Sequence, residues 1–183
     1  RSDMLGRPWY DCSDANQVMV SSLAQWVPLH SGGATPVEGD DYSILSGVST
    51  GVDTPIARFA ESPGYFDWAR SIMAAVRRMM ECFYGDFFLL TPHPESHKGL
   101  YAYQCDLPGE GRGCFIAFQR GGDPEDTERT FALRAIDPDA DYEVETFRGA
   151  TTRMKGTDLR RLSVSLPDAR QTKLVFYQKT LLR

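Results

Sequence analysis

The chain has 183 residues, 42% hydrophobic and 25% charged, with a net charge of −5. That is the balance of a chain that buries a core, not of a disordered or fibrous one, and the length allows one ordinary domain or two small ones. The basic pairs Arg77–Arg78 and Arg160–Arg161 stand alone, which argues against a nucleic-acid face, because such faces show as a basic stripe. No apolar run nears the ~18 residues that span a membrane.

The first predicted helix runs from Asp14 to Val27. Ala15, Val18, Met19, Ser22, Leu23 and Trp26 recur at three- and four-residue steps and predict one buried face, with Trp26 in the core. Asp14 reads as the N-cap, and Gln17 completes a capping-box pattern. Pro28 and Gly32-Gly33 end the helix. Residues 31–63 are rich in Gly, Ser, Thr and Pro; within them, Tyr42–Val48 fits a short strand or a short helix equally well. Irregular stretches this long are functional loops or linkers.

From Phe66 to about Tyr84, Ala69, Ile72, Met73, Val76, Met79, Met80 and Phe83 predict the apolar face of a second helix. Asp67 reads as its N-cap and Gly85 as its C-cap glycine. Beyond Pro92 the period becomes alternating. Candidate strands are 100–105, 114–119, 130–136, 142–147, 162–166 and 173–178, separated by Gly, Pro and Asp turns. Short strands at this spacing predict an antiparallel sandwich or open barrel. Helices followed by strands alone predict two domains, with a boundary near 91–98.

Cys12, Cys82, Cys105 and Cys114 form no C-x-x-C pair, which excludes zinc-ribbon spacing and argues against a dense disulfide framework. Cys105 and Cys114 flank a predicted hairpin, where free thiols are favoured over a cross-strand bridge. His93 and His97 are four apart, but Pro92 and Pro94 bracket the first, so they read as turn residues. Asp137, Asp139 and Asp141 lack the glycine and distal glutamate of a calcium loop and read as turn formers. No phosphate-binding glycine motif follows a strand. No metal and no cofactor are expected.

Asp3 precedes an aromatic and polar cluster of Pro8, Trp9, Tyr10 and Asp11. By residue type alone it reads as a surface acid near a chain end. Longer stretches reverse that reading. Arg1-Ser2-Asp3 with Asn16-Gln17, Trp26-Val27-Pro28-Leu29-His30 with Gly32-Gly33, and Asp41-Tyr42 with Ser46 resemble the last barrel segments of bacterial α-galactosidase-like glycoside hydrolases. The residues from Tyr84 to Pro92 are similar to that family's stretch after its last barrel helix. Tyr101–Gln104, Gly111–Gly113, Ala117–Arg120 and Leu133–Tyr142 resemble its C-terminal sandwich.

The resemblance implies an α/β part, the incomplete end of a TIM-type barrel over 1–92, followed by an all-β antiparallel sandwich over 93–183. It implies an oligosaccharide or α-galactoside substrate and two carboxylates. Ser2-Asp3 matches the motif of the acid/base, so Asp3 is the expected catalytic residue. Arg1 is expected as a neighbouring polar contact, and Trp9 and Tyr10 are expected to line the sugar site, since sugar rings stack on aromatic faces. The family's nucleophile lies in a Trp-Asp motif on an earlier strand. The reverse pair Asp67-Trp68 does not supply it, so this chain alone is expected to be inactive.

The chain opens on Arg1, so the true N-terminus is expected upstream, and the compartment is not legible. A homo-oligomer is compatible with this reading, because a partial barrel leaves apolar surface uncovered. The alternative is a non-catalytic β-sandwich that binds carbohydrate or a partner protein. It requires exposed aromatics on one sheet face, with candidates among Tyr101, Tyr103, Phe115, Phe118, Tyr142, Phe147, Phe176 and Tyr177.

Overall fold

The structure, a computed structural model, describes residues 12–27, 29–60 and 62–180. The chain divides into two compact units, Arg1–Tyr84 and Gly85–Arg183. The junction thus falls before the expected one after residue 92. The reason is Asp86–Leu89, which forms a strand of the second unit's sheet.

The first unit alternates helices with short parallel strands: α1 (Ser13–Ala24), β1 (Ser31–Gly33), α2 (Asp41–Ser46), β2 (Gly51–Asp53), a 3-10 turn (Ile56–Phe59) and α3 (Tyr65–Cys82). β1 and β2 pair in parallel, Ser31 with Gly51 through Gly33 with Asp53. The segment left open by the sequence, 42–48, is therefore mostly helix. Its N-cap Asp40 accepts from the Ser43 amide at 3.1 Å, satisfying one of the unpaired donors of a first turn.

α1 inverts the expected pattern. Its buried residues are Ser13, Asp14, Asn16, Gln17, Val20 and Ser21, while Ala15 is exposed and Trp26 is 85% exposed. Trp26 is therefore not a core residue. Nor do Asp14 and Gln17 cap the helix. The N-cap is Cys12, whose side chain makes no capping hydrogen bond, and the Asp14 and Gln17 side chains bond to α2 instead.

α3 follows its apolar period, with Ala69, Ile72, Val76, Met79 and Phe83 all buried. Asp67 is inside the helix, hydrogen-bonded to Arg70, and the N-cap is Gly64. Two bonds anchor the helix start: Tyr65 Oη donates to Pro36 O at 2.9 Å, and Trp68 Nε1 to Asp41 Oδ1 at 3.0 Å.

The second unit is antiparallel. Its strands are β3 (Asp86–Leu89), β4 (Leu100–Leu107), β5 (Arg112–Gln119), β6 (Glu128–Ala132), β7 (Asp141–Thr146), β8 (Thr151–Lys155), β9 (Arg161–Ser165) and β10 (Thr172–Lys179), with a short helix α4 (Gly156–Leu159). Six form one sheet in the order β3-β4-β5-β10-β7-β8, and β6 pairs with β9 apart from it. The core between these layers includes Ala102, Phe115, Phe131, Val144, Leu162 and Val175.

Gly85 does not act as a left-handed cap. A Cβ there would collide with the Asp106 carbonyl and come within 3.0 Å of Leu107 Cδ2, so the position needs a side-chain-free backbone. Cys105 and Cys114 lie directly opposite each other in the β4–β5 register and form no disulfide.

Candidate functional site

The expected catalytic residue Asp3 and its expected neighbours Arg1, Trp9 and Tyr10 lie outside the described residues. What the structure describes is the scaffold that follows them. β1 and β2 end side by side, where the Ala34 amide donates to Asp53 O at 3.0 Å. Asn16 Nδ2 donates to Gly33 O at 2.7 Å and so ties α1 to the C-terminal end of β1. Gln17 Nε2 donates to Ser46 Oγ at 2.9 Å, and Ser46 Oγ donates to Tyr42 O at 2.7 Å. Tyr42 Oη donates to Asp14 Oδ1.

A buried polar group must find a partner or it costs free energy. Here helix α1 uses polar side chains in place of an apolar stripe, and each bond runs to a segment distant in sequence. The resemblance had singled out Asn16, Gln17, Tyr42 and Ser46, and the structure brings all four together. Asn16 Oδ1, Gln17 Oε1 and Thr54 Oγ1 are buried without a hydrogen-bond partner among the described residues.

Glycine makes the close approach possible. A Cβ on Gly32 would collide with Gly47 O and lie 2.9 Å from Val20 Cγ2, and one on Gly47 would collide with Gly33 O. The strand and the end of α2 therefore touch backbone to backbone, which no larger residue permits.

His30 lies before β1. Its ring nitrogens each sit 3.1 Å from a carbonyl, Nδ1 from Val27 O and Nε2 from Val20 O, and its amide donates to Thr50 Oγ1 at 2.9 Å. The ring thus braces the turn into β1. Among the described residues no group of three His, Cys, Asp or Glu is placed to hold a metal ion. Asp137 and Asp141 instead meet Lys179 at 2.7 Å and Lys155 at 2.8 Å.

In the second unit a buried network links two strands, β4 and β10, and the turn after β6. Tyr177 Oη donates to Asp106 Oδ1 at 2.6 Å and accepts from Gln104 Nε2 at 2.8 Å. Gln104 also bridges Arg134, accepting from its amide and donating to its carbonyl, both at 2.8 Å. Burial pushes the Asp106 carboxyl above its ordinary range, and burial and the Asp106 hydrogen bond raise the Tyr177 phenol. A groove of about 640 Å³ runs beside β6, bordered by Leu89, Leu90, Arg129, Arg134 and Arg160.

No protein-family profile and no curated protein sequence matches this chain. Solved structures do. The galactosidase domain of an α-galactosidase–sucrose kinase superposes with a TM-score of 0.69 at 10% identity, over 93% of this chain and 25% of that one. A GH36 α-galactosidase from Geobacillus stearothermophilus gives 0.63 at 13% identity, over 93% and 25%. The α-galactosidase from Lactobacillus brevis gives 0.61 at 13%, over 85% and 23%. The chain spans about a quarter of the length of each. At these identities the likeness is one of fold: this chain shares its fold with about a quarter of each of these solved α-galactosidase chains.

Proposed function

We propose that this chain is the C-terminal part of a retaining glycoside hydrolase acting on terminal α-galactosides, comprising the last segments of a (β/α)8 barrel and a stabilising β domain. The observation that carries the reading is the element order. Helix, strand, helix, strand and helix, with the strands parallel, precede an antiparallel sheet, and solved α-galactosidases superpose on 85–93% of this chain.

Two parallel strands cannot form an independent sheet of useful stability. Among the described residues the large hydrophobic side chains left exposed, Trp26, Val27, Leu29, Val37, Phe66 and Tyr84, all belong to the first unit. Both facts support a first unit that is part of a larger barrel.

In this reading Asp3 is the acid/base. It protonates the departing glycosidic oxygen while a carboxylate from an upstream strand attacks the anomeric carbon and forms a glycosyl ester. The Asp3 carboxylate then takes a proton from water, which attacks the same carbon and releases the sugar. Retention requires the two carboxyl groups roughly 5 Å apart. Arg1, Trp9 and Tyr10 contact the sugar, and no cofactor takes part.

The non-catalytic module gains no support, because Tyr101, Tyr103, Phe115, Phe118, Tyr142, Phe176 and Tyr177 are all buried and Phe147 is half-buried. The test compares the 183-residue chain with the complete polypeptide that carries it. The complete polypeptide is expected to hydrolyse aryl α-galactosides and the chain alone is not. Asp3→Ala is expected to lower kcat by roughly 10²- to 10⁴-fold, the range for general acid–base catalysis. Full activity of the chain alone, or of Asp3→Ala, would overturn the reading.

A further inference from the structure

Side chains alternate across a strand, and partners in register share a face. A Cβ on Gly32 would meet Val20 of α1 and Gly47 at the end of α2, so Gly32 and its partner Val52 occupy the helix-covered face of the β1–β2 pair. A Cβ on Gly51 would instead lie 3.0 Å from Ser31 Cβ. Ser31 with Gly51, and therefore Gly33 with Asp53, occupy the opposite face.

In a (β/α)8 barrel the face away from the helices is the interior, and substrates bind at the C-terminal ends of the strands. Asp53 meets both conditions, being the last residue of β2. Its neighbour in register is Gly33, which has no side chain. Asp53 is exposed, and its carboxylate has no hydrogen-bond or ion-pair partner among the described residues. Its backbone, by contrast, is fixed by the Ala34 amide at 3.0 Å, and the β1 end is fixed by Asn16.

We infer that Asp53 is a substrate-binding residue whose carboxylate accepts hydrogen bonds from hydroxyls of the bound sugar. A fixed backbone and an unengaged carboxylate suit that role, because the acceptor is held in place and no competing partner must be displaced. The inference rests on the glycosidase reading above and adds a residue to it.

The test is steady-state kinetics of the complete polypeptide on an aryl α-galactoside and its monodeoxy analogues, with Asp53→Ala and Asp53→Asn. Loss of a charge-assisted hydrogen bond is expected to lower kcat/KM roughly ten- to a hundredfold in Asp53→Ala, mainly through KM, and by less in Asp53→Asn. One monodeoxy substrate, lacking the hydroxyl that Asp53 binds, is expected to be processed equally by wild type and Asp53→Ala. If the wild type cleaves the substrate and Asp53→Ala matches it, the inference falls and the glycosidase reading stands. The inference also falls alone if the loss is the same for every analogue, since that marks a structural role. If the wild type cleaves no α-glycoside, the glycosidase reading itself falls.

Discussion

Tyr177→Phe removes one oxygen from a buried network and should be felt well beyond its size. The hydroxyl donates to Asp106 Oδ1 at 2.6 Å and accepts from Gln104 Nε2 at 2.8 Å. Gln104 keeps its bonds to Arg134 in the variant. Asp106 does not fare as well: it is 2% exposed, and its Oδ2 already has no partner among the described residues. A hydrogen bond to a charged group contributes ~1.5–3 kcal/mol, so Tyr177→Phe should destabilise the second unit by about 2 kcal/mol at neutral pH.

Asp106→Asn should do the opposite. The Asp106 carboxyl titrates above its ordinary value of 3.8 because burial penalises the charge. A carboxyl raised on folding favours the folded state when protonated, and that stability is lost as pH rises from the ordinary value through the folded one. Asparagine removes this loss, so its advantage over wild type should grow with pH above about 4. In the Asp106→Asn background, Tyr177→Phe should cost only ~1 kcal/mol, the worth of a neutral bond.

All three tryptophans, Trp9, Trp26 and Trp68, precede residue 85. Their fluorescence reports the first unit, so the assay is hydrogen exchange at the β4, β5 and β10 amides of the full chain. A Tyr177→Phe effect below roughly 0.3 kcal/mol, or a pH-independent gap between Asp106→Asn and wild type, would refute the reasoning.

Two further outcomes follow from the packing. Gly113→Ala would drive a Cβ into the Tyr177 hydroxyl and the Cys105 carbonyl, and overpacking of this kind costs about 1–3 kcal/mol. Faster exchange in β4 and β10 is expected, and unchanged exchange would contradict the close approach. The exposed apolar side chains of the first unit should make the isolated 183-residue chain associate, as large apolar patches do. Light scattering and hydrophobic-dye binding check this, and a monodisperse monomer that binds no dye would contradict it.

What could be read in advance followed from side-chain pattern. β4, β5 and β10 were visible as strands because apolar residues fill them, and α3 because its buried residues keep one helical period. β8, Thr151–Lys155, was missed because its residues are nearly all exposed and present no apolar alternation. β1 and β2 were missed because three-residue strands rich in glycine offer no side-chain signal. α1 misled most. A periodicity search selects apolar positions, whereas this helix buries Asp14, Asn16 and Gln17 against partners at least 17 residues away. Trp26 was assigned to the core for the same reason.

The candidate site divides along similar lines. Asp3 and Arg1 were singled out by resemblance, and Trp9 and Tyr10 as aromatics beside Asp3; all four lie outside the described residues. Asp53 was passed over because the sequence between Gly51 and Pro55 carries no motif. Its interest arises only when Gly32 is seen facing the helices and Asp53 the other way.

The central claim is that Asp3 is the acid/base of a retaining α-galactoside hydrolase. The most direct measurement treats the Asp3→Ala variant of the complete polypeptide with an activated aryl α-galactoside in the presence of azide. A retaining enzyme without its base still forms the glycosyl ester from a substrate with a good leaving group, and azide, which needs no deprotonation, then replaces water. The expected result is a rate restored by azide and an α-configured galactosyl azide as product. No rescue, or a β-configured azide, would contradict the account.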